Sequence, residues 1–234
     1  MPGKDVDLVV IGAGLSGCAL VSALSNRGWR GTIQILEAGR GPGGRCATRR
    51  RRDAPLWRLD HGSPTLSFQS EPQGHLRELM HSLEQRGVIR VDDDPVVGLD
   101  HHGAAVAAPD HPLLKGPRWR GIPTMASVAE TLLSDGSDQV DVCFGERIET
   151  LSRDGENWVL PGGGCASNLV LSGTLLAHPR SLAMLGRSDV PLRDAVPEQH
   201  DLLLDQALAS IAGLNASIRW NLMLEFPAMD LDPL

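Results

Sequence analysis

A chain of 234 residues with 41% hydrophobic side chains can bury one large core or two small ones, and it contains no run of 18 apolar residues of the kind that spans a membrane. Its net charge of −7, with 20 arginines against two lysines, argues against a nucleic-acid partner and points to coding bias in the arginines. With no tyrosine and only three Phe and five Trp, the chain builds no tyrosine-lined cage for an amine.

The opening MPGKDVDLVV passes into a strand without a basic region or apolar signal core, so a cytoplasmic location is expected. Asp7 to Ile11 reads as a buried parallel strand. Gly12, Gly14 and Gly17 then form GxGxxG at the turn into a helix: the first allows the tight turn, the second admits a pyrophosphate, and the third lets helix pack on strand. Leu15 and Ser16 fall in the first helical turn, where free N–H groups and the helix dipole face the anion and the Ser16 hydroxyl can join them. The helix should run to about Arg27, with Gly28 as left-handed cap and Trp29 to Gly31 as a turn. Thr32 to Leu36 is the second strand, and Glu37 follows 20 residues after Gly17, where an acid accepts hydrogen bonds from ribose hydroxyls. Strand, glycines, helix, strand and acid in register predict a dinucleotide site.

Directly after this acid stand Arg40, Gly43, Gly44 and Arg45, two guanidiniums and two residues that permit close backbone approach to a pyrophosphate. This RxxGGR resembles the motif of the flavin amine oxidases, and GGRCATRR followed by LDHG (Leu59 to Gly62) is similar to renalase and the bacterial renalase-like FAD-dependent oxidoreductases. The resemblance implies an α/β fold: a Rossmann-like FAD-binding domain with a doubly wound parallel sheet and a β-hairpin crossover, and a smaller α+β substrate domain. It assigns residues 1–70 and 118–186 to the first, and 71–117 and 187–234 to a partial second. FAD is the implied cofactor, touched also by Ala38, His61, Gly62 and Thr65. Neither Cys46 nor His61 sits in an attachment motif, so non-covalent binding is expected. The implied activity is transfer of hydride from a reduced nicotinamide, NADH or NADPH, or from a related small donor, to the flavin, and of electrons on to oxygen or another acceptor. Neither Lys4 nor Lys115 matches the flavin-side lysine of monoamine-oxidase relatives, and no catalytic acid or base is assigned. Only one dinucleotide fingerprint is present, so the donor would bind transiently.

Further along, Arg49 to Arg52 reads as a solvated loop, and Glu71 to Arg86 as an amphipathic helix ending at Gly87. Val88 to Ala108 holds short β-like pieces, in which Asp92 to Asp94 reads as a solvated turn and His101-His102 as surface loop. Met125 to Leu133 is the next helix. DVCFGERIETLSRDGENWVL, Asp141 to Leu160, resembles the family's strand and hairpin, which implies that the backbone near Ile148 meets the adenine. Gly162 to Gly164 reads as a flexible turn. NLVLSGTLLAHPRSLAML, Asn168 to Leu185, resembles the strand and proline turn that follow. Asp201 to Ile211 is a leucine-rich helix, and Ile218 to Phe226 a strand. Four cysteines in no CxxC or metal-like spacing read as reduced thiols, Cys18 as a small buried packing residue despite a helix dipole that could lower its pKa.

The departures from the family carry expectations of their own. Ser63, Pro64, Thr65 and Leu66 stand where the family has a small residue, a glutamine and an aromatic pair, and Thr124-Met125 stands for its Gly-Met. The chain ends at Pro233-Leu234 before the family's GD-containing segment that caps the flavin, which predicts weak FAD binding and slow turnover. Two alternatives stay open: a truncated or degenerate homologue that keeps the nucleotide-binding fold without turnover, and an NAD-dependent dehydrogenase sharing the first fifty residues.

Overall fold

The computed structural model describes residues 4–54, 56–108, 110–136 and 138–215. Strand β1 (Val6–Ile11) sends Leu8 and Val10 to one face and Val9 to the other, and all three are buried in apolar clusters. That double burial is why the strand is an unbroken apolar run. Helix α1 (Leu15–Asn26) follows, and Gly28 (φ 77°) provides the left-handed exit to β2 (Ile33–Glu37). β1 and β2 pair in parallel from Leu8↔Ile33 to Ile11↔Leu36, completing the β-α-β unit.

Residues 38–139 form a long excursion before the third parallel strand. It contains the hairpin β3 (Thr48–Arg50) and β4 (Arg58–Asp60), then β5 (Leu66–Ser67), α2 (Gly74–Gln85) and β6 (Ile89–Val91). A second hairpin, β7 (Val97–Leu99) and β8 (Ala105–Ala107), precedes α3 (Pro112–Lys115), β9 (Arg118–Gly121) and α4 (Ala126–Ser134). The chain then adds β10 (Val140–Phe144), the short β11 (Arg153–Asp154) and β12 (Asn157–Val159), and β13 (Cys165–Leu171). Helices α5 (Leu182–Leu185), α6 (Leu192–Ala195) and α7 (Leu202–Ala212) follow. The main sheet has the order β10-β2-β1-β13-β12-β11, its first four strands parallel and the last two an antiparallel hairpin joined to β13. The fold is therefore α/β and Rossmann-like.

One face of this sheet packs Leu8, Val10, Ile33 and Ile35 against Val21 of α1 and Val128, Ala129 and Leu132 of α4. Met80, Leu83, Val88, Ile89 and Trp119 belong to the same cluster, so α2 and the β5-β9-β6 sheet, which span the 70/71 and 117/118 boundaries drawn from the resemblance, share a core with α1. The opposite face packs Val9 and Leu36 with Ile148, Leu160, Leu176, Leu192 and Leu208.

Two charged runs differ from the sequence reading. Arg49 and Arg50 lie in β3, where antiparallel pairing with β4 replaces the expected loop; Arg50 meets Glu130, and Arg51 bonds Asp53 at 2.5 Å while lying 5.7 Å over the Trp57 ring. Asp92 is not solvated, its side chain being 8% exposed. Pairing of β6 with β9 brings the Arg120 guanidinium onto its carboxylate, and Arg118 donates to the Asp94 carbonyl at 2.6 Å. The expected strand Ile218 to Phe226 lies outside the described residues. Among the described residues, no helix is long and apolar enough to cross a membrane, and no three His, Cys, Asp or Glu side chains converge to hold a metal ion.

Candidate dinucleotide site

At the C-terminal ends of β1, β2 and β13 the chain makes three contiguous structures: a fastened glycine turn, a second glycine loop docked on it, and a cleft beside Glu37. Gly12 holds φ 106°, which only glycine adopts without strain, and its N–H donates to the Leu36 carbonyl at 2.9 Å. A Cβ on Gly17 would overlap the Gly12 carbonyl oxygen, so the third glycine does set the approach of helix to strand. Gly14 differs from both. It is the N-cap of α1, no side chain caps it, and nothing lies within 4 Å of where its Cβ would be. The open space over Gly14, facing an uncapped N-terminus of a 12-residue helix, suits an anionic group. Leu15 and Ser16 form that first turn, with Ser16 exposed.

The second loop meets the first through the backbone. The Gly43 N–H donates to the Ala13 carbonyl at 2.8 Å, and a Cβ on Gly44 would come within 3.1 Å of the Gly14 Cα. Gly43 (φ 124°) and Gly44 (φ 53°) lead into a single 3-10 turn over Gly44–Cys46. Arg45, in that turn, is exposed, as is Arg40, and among the described residues neither guanidinium has a hydrogen-bond or ion-pair partner. The Arg45 carbonyl accepts from Ser63 N at 2.7 Å, and a Cβ on Gly62 would overlap it, so the LDHG turn is seated on this loop. Thr65 is half-buried with its hydroxyl 2.8 Å from that of Ser67, and His61 is half-buried beside Gly62.

Glu37 ends β2 with both carboxylate oxygens engaged, Oε2 accepting from Ala13 N and Oε1 from Gly39 N, each at 2.6 Å. The carboxylate thus fixes the glycine turn to the loop after β2, and each of its oxygens retains a further lone pair. This cleft, about 150 Å³, lies between Gly12, Glu37, Ala38, Ile148 and Gly173. Glu146 N donates to the Glu37 carbonyl at 2.9 Å, which holds the Ile148 segment over it. Gly12, Glu37, Ala38 and Ile148 are therefore gathered at one end, and Gly14, Gly43, Gly44, Arg45 and Gly62 along the loop. Arg40, His61 and Thr65 do not line the cleft.

Two sets of contacts escape the sequence reading. Ser172, after β13, donates through Oγ to the carbonyls of Gly12 (2.7 Å) and Ile11 (3.0 Å), fastening the turn from the neighbouring strand. Its only sequence signal is a small hydroxyl residue at the end of a strand. Asp60 accepts from Met125 N at 3.1 Å with each oxygen and from the Thr48 hydroxyl at 2.5 Å, while Ala126 N donates to that hydroxyl at 3.1 Å. Thr48 and Asp60 thus cap α4 and tie the β3–β4 hairpin to it.

Cys18 is fully buried behind the glycine turn, and burial first, then the Glu37 charge, pushes its thiol from 9.0 up to about 11. The helix dipole does not prevail. Because the unfolded thiol ionises from pH 9 and the folded one does not, its contribution to stability is full below pH 9 and is lost as pH rises toward 11. Cys18→Ala should flatten that part of the alkaline melting curve, and native protein at neutral pH should leave Cys18 unalkylated.

The match to known families and structures agrees with this geometry. Residues 10–83 match the family of NAD(P)-binding Rossmann-like domains. The fold is similar to that of a putrescine oxidase double mutant from a redesign of its cofactor binding (TM-score 0.52, 15% identity, 87% of this chain and 64% of that one). Wild-type putrescine oxidase bound to putrescine gives the same values. A protein from Exiguobacterium sp. 255-15, provisionally named a protoporphyrinogen oxidase, is similar at TM-score 0.51 and 14% identity over 88% of this chain and 64% of that one. At such identities the likeness is one of fold, and the chain spans 64% of the length of each of these structures. Comparison with curated proteins gave no match.

Proposed function

We propose that this chain forms the dinucleotide-binding part of an FAD-dependent oxidoreductase of the renalase-like kind, in which a reduced nicotinamide or related small donor gives hydride to non-covalently held FAD. The observation that carries this reading is the second glycine loop, with Gly43 bonded to Ala13 and Gly44 pressed on Gly14. A dinucleotide site of the dehydrogenase kind needs one glycine turn and an acid. Here a second backbone surface, with the exposed Arg45 in its 3-10 turn, stands beside the same turn, suiting a pyrophosphate flanked on both sides.

Bound there, FAD supplies a ring that accepts hydride and returns electrons to oxygen or another acceptor. The protein's part is binding and placement. Glu37 would accept from the adenosine ribose, the Ile148 backbone would border the adenine, the start of α1 and Arg45 would hold the pyrophosphate, and the turn at His61 to Thr65 would be left for the ring. No side chain is assigned a proton transfer. A second reading, an NAD-dependent dehydrogenase, draws on the description of the family matched by residues 10–83.

Arg45→Ala should weaken FAD binding by roughly tenfold while leaving adenosine binding nearly intact, since it removes a charged contact to the pyrophosphate only. Equilibrium titration with each ligand checks this. Anaerobic mixing of the FAD-loaded protein with NADH or NADPH should bleach the flavin band. An unbleached flavin would remove the hydride-donor part of the reading, and equal FAD affinity in Arg45→Ala would misplace the pyrophosphate.

A further inference from the structure

Ser172, the first residue after β13, meets the glycine turn through both its backbone and its side chain. Its N–H donates to the Ile11 carbonyl at 3.0 Å, and its Oγ lies 2.7 Å from the Gly12 carbonyl oxygen and 3.0 Å from that of Ile11. The hydroxyl has one proton, which the two carbonyls share. The same oxygen touches both outer glycines of the fingerprint: a Cβ on Gly12 would come within 2.6 Å of it, and one on Gly17 within 3.1 Å. Leu171 and Gly173 line the Glu37 cleft, whereas Ser172 between them does not. Its hydroxyl therefore acts on the turn and not on what the cleft holds.

A carbonyl oxygen carries the wrong sign for a pyrophosphate. A turn that binds an anion has to present N–H groups, and a carbonyl that swings toward the ligand opposes its charge. Gly12, at φ 106°, is the residue of this turn whose backbone has the most freedom, so its carbonyl is the one that most needs a fixed partner. Ser172 supplies that partner from the neighbouring strand. We propose that Ser172 is a positioning residue for the pyrophosphate: by holding the Ile11 and Gly12 carbonyls it keeps the start of α1 turned to the anion, and so sets affinity for the charged part of the dinucleotide without touching it. The inference rests on the dinucleotide site of the reading above and is independent of hydride transfer.

The test is calorimetric titration of the whole protein with ADP, which carries a pyrophosphate, and with adenosine, which does not. Ser172→Ala should bind ADP roughly tenfold more weakly, the loss expected for about one hydrogen bond, with adenosine affinity within about twofold of the parent. Ser172→Thr keeps the hydroxyl and should recover most of the ADP affinity. Equal ADP affinity in Ser172→Ala and the parent would overturn the proposal. So would an equal fractional loss for ADP and adenosine, which is what a general loosening of the fold produces, or a Ser172→Thr variant as weak as Ser172→Ala. A parent that binds neither ADP nor FAD would instead remove the dinucleotide reading, and this role for Ser172 with it.

Discussion

Replacing Gly17 by valine should abolish dinucleotide binding and destabilise the fold by roughly 3 kcal/mol, the scale of strong overpacking. The Cβ would fall on the Gly12 carbonyl oxygen, a backbone atom held in turn by the Ser172 hydroxyl, so no side-chain rotation relieves the clash. Helix α1 would have to move away from β1, or the Gly12 turn would have to open. Either movement displaces Gly14, and with it Gly43 and Gly44, which rest on Gly14 and Ala13. Thermal unfolding followed by circular dichroism, with and without FAD, reads both effects. A melting temperature within a degree or two of the parent would mean that this helix does not need its close seat on the strand.

Glu37→Ala should lower FAD affinity about ten- to a hundredfold, the loss expected for one or two hydrogen bonds to a charged acceptor. It should also lower the stability of the empty protein, because the Ala13 and Gly39 N–H groups lose their 2.6 Å acceptors and Ala13 is fully buried. Glu37→Gln separates the two roles. Its single amide oxygen can keep one of the two backbone bonds, so it should recover part of the stability and less of the affinity. Unchanged FAD affinity in both variants would mean that the carboxylate is a structural clasp only, with no ribose upon it.

Much of the site was legible because its logic is local in sequence. Gly12, Gly14 and Gly17 are spaced by one turn and one helical start, and Glu37 ends the next strand. Gly43 and Gly44 announced close backbone approach, although not that they approach Ala13 and Gly14, which lie about thirty residues earlier. What the sequence concealed are contacts between distant segments. Ser172 reaches back 160 residues to Gly12, and Asp60 reaches 65 residues forward to Met125. Neither residue type signals such a partner. Asp92 shows the same effect from the opposite side: a run of three aspartates reads as solvated until the pairing of β6 with β9 sets Arg120 on the first of them. The excursion between β2 and β10 was harder to divide, because α2 carries an ordinary amphipathic pattern and only the fold shows that Met80 and Leu83 enter the core of the Rossmann-like sheet.

Equilibrium binding of FAD and of NAD to the purified protein decides whether the paired glycine loops and the Glu37 cleft hold the flavin dinucleotide. FAD should bind saturably, seen as a perturbed visible flavin spectrum, should be competed by adenosine and released intact by acid precipitation, and NAD should bind much more weakly. Tight binding of NAD without binding of FAD, or flavin that stays on the acid pellet, would contradict it.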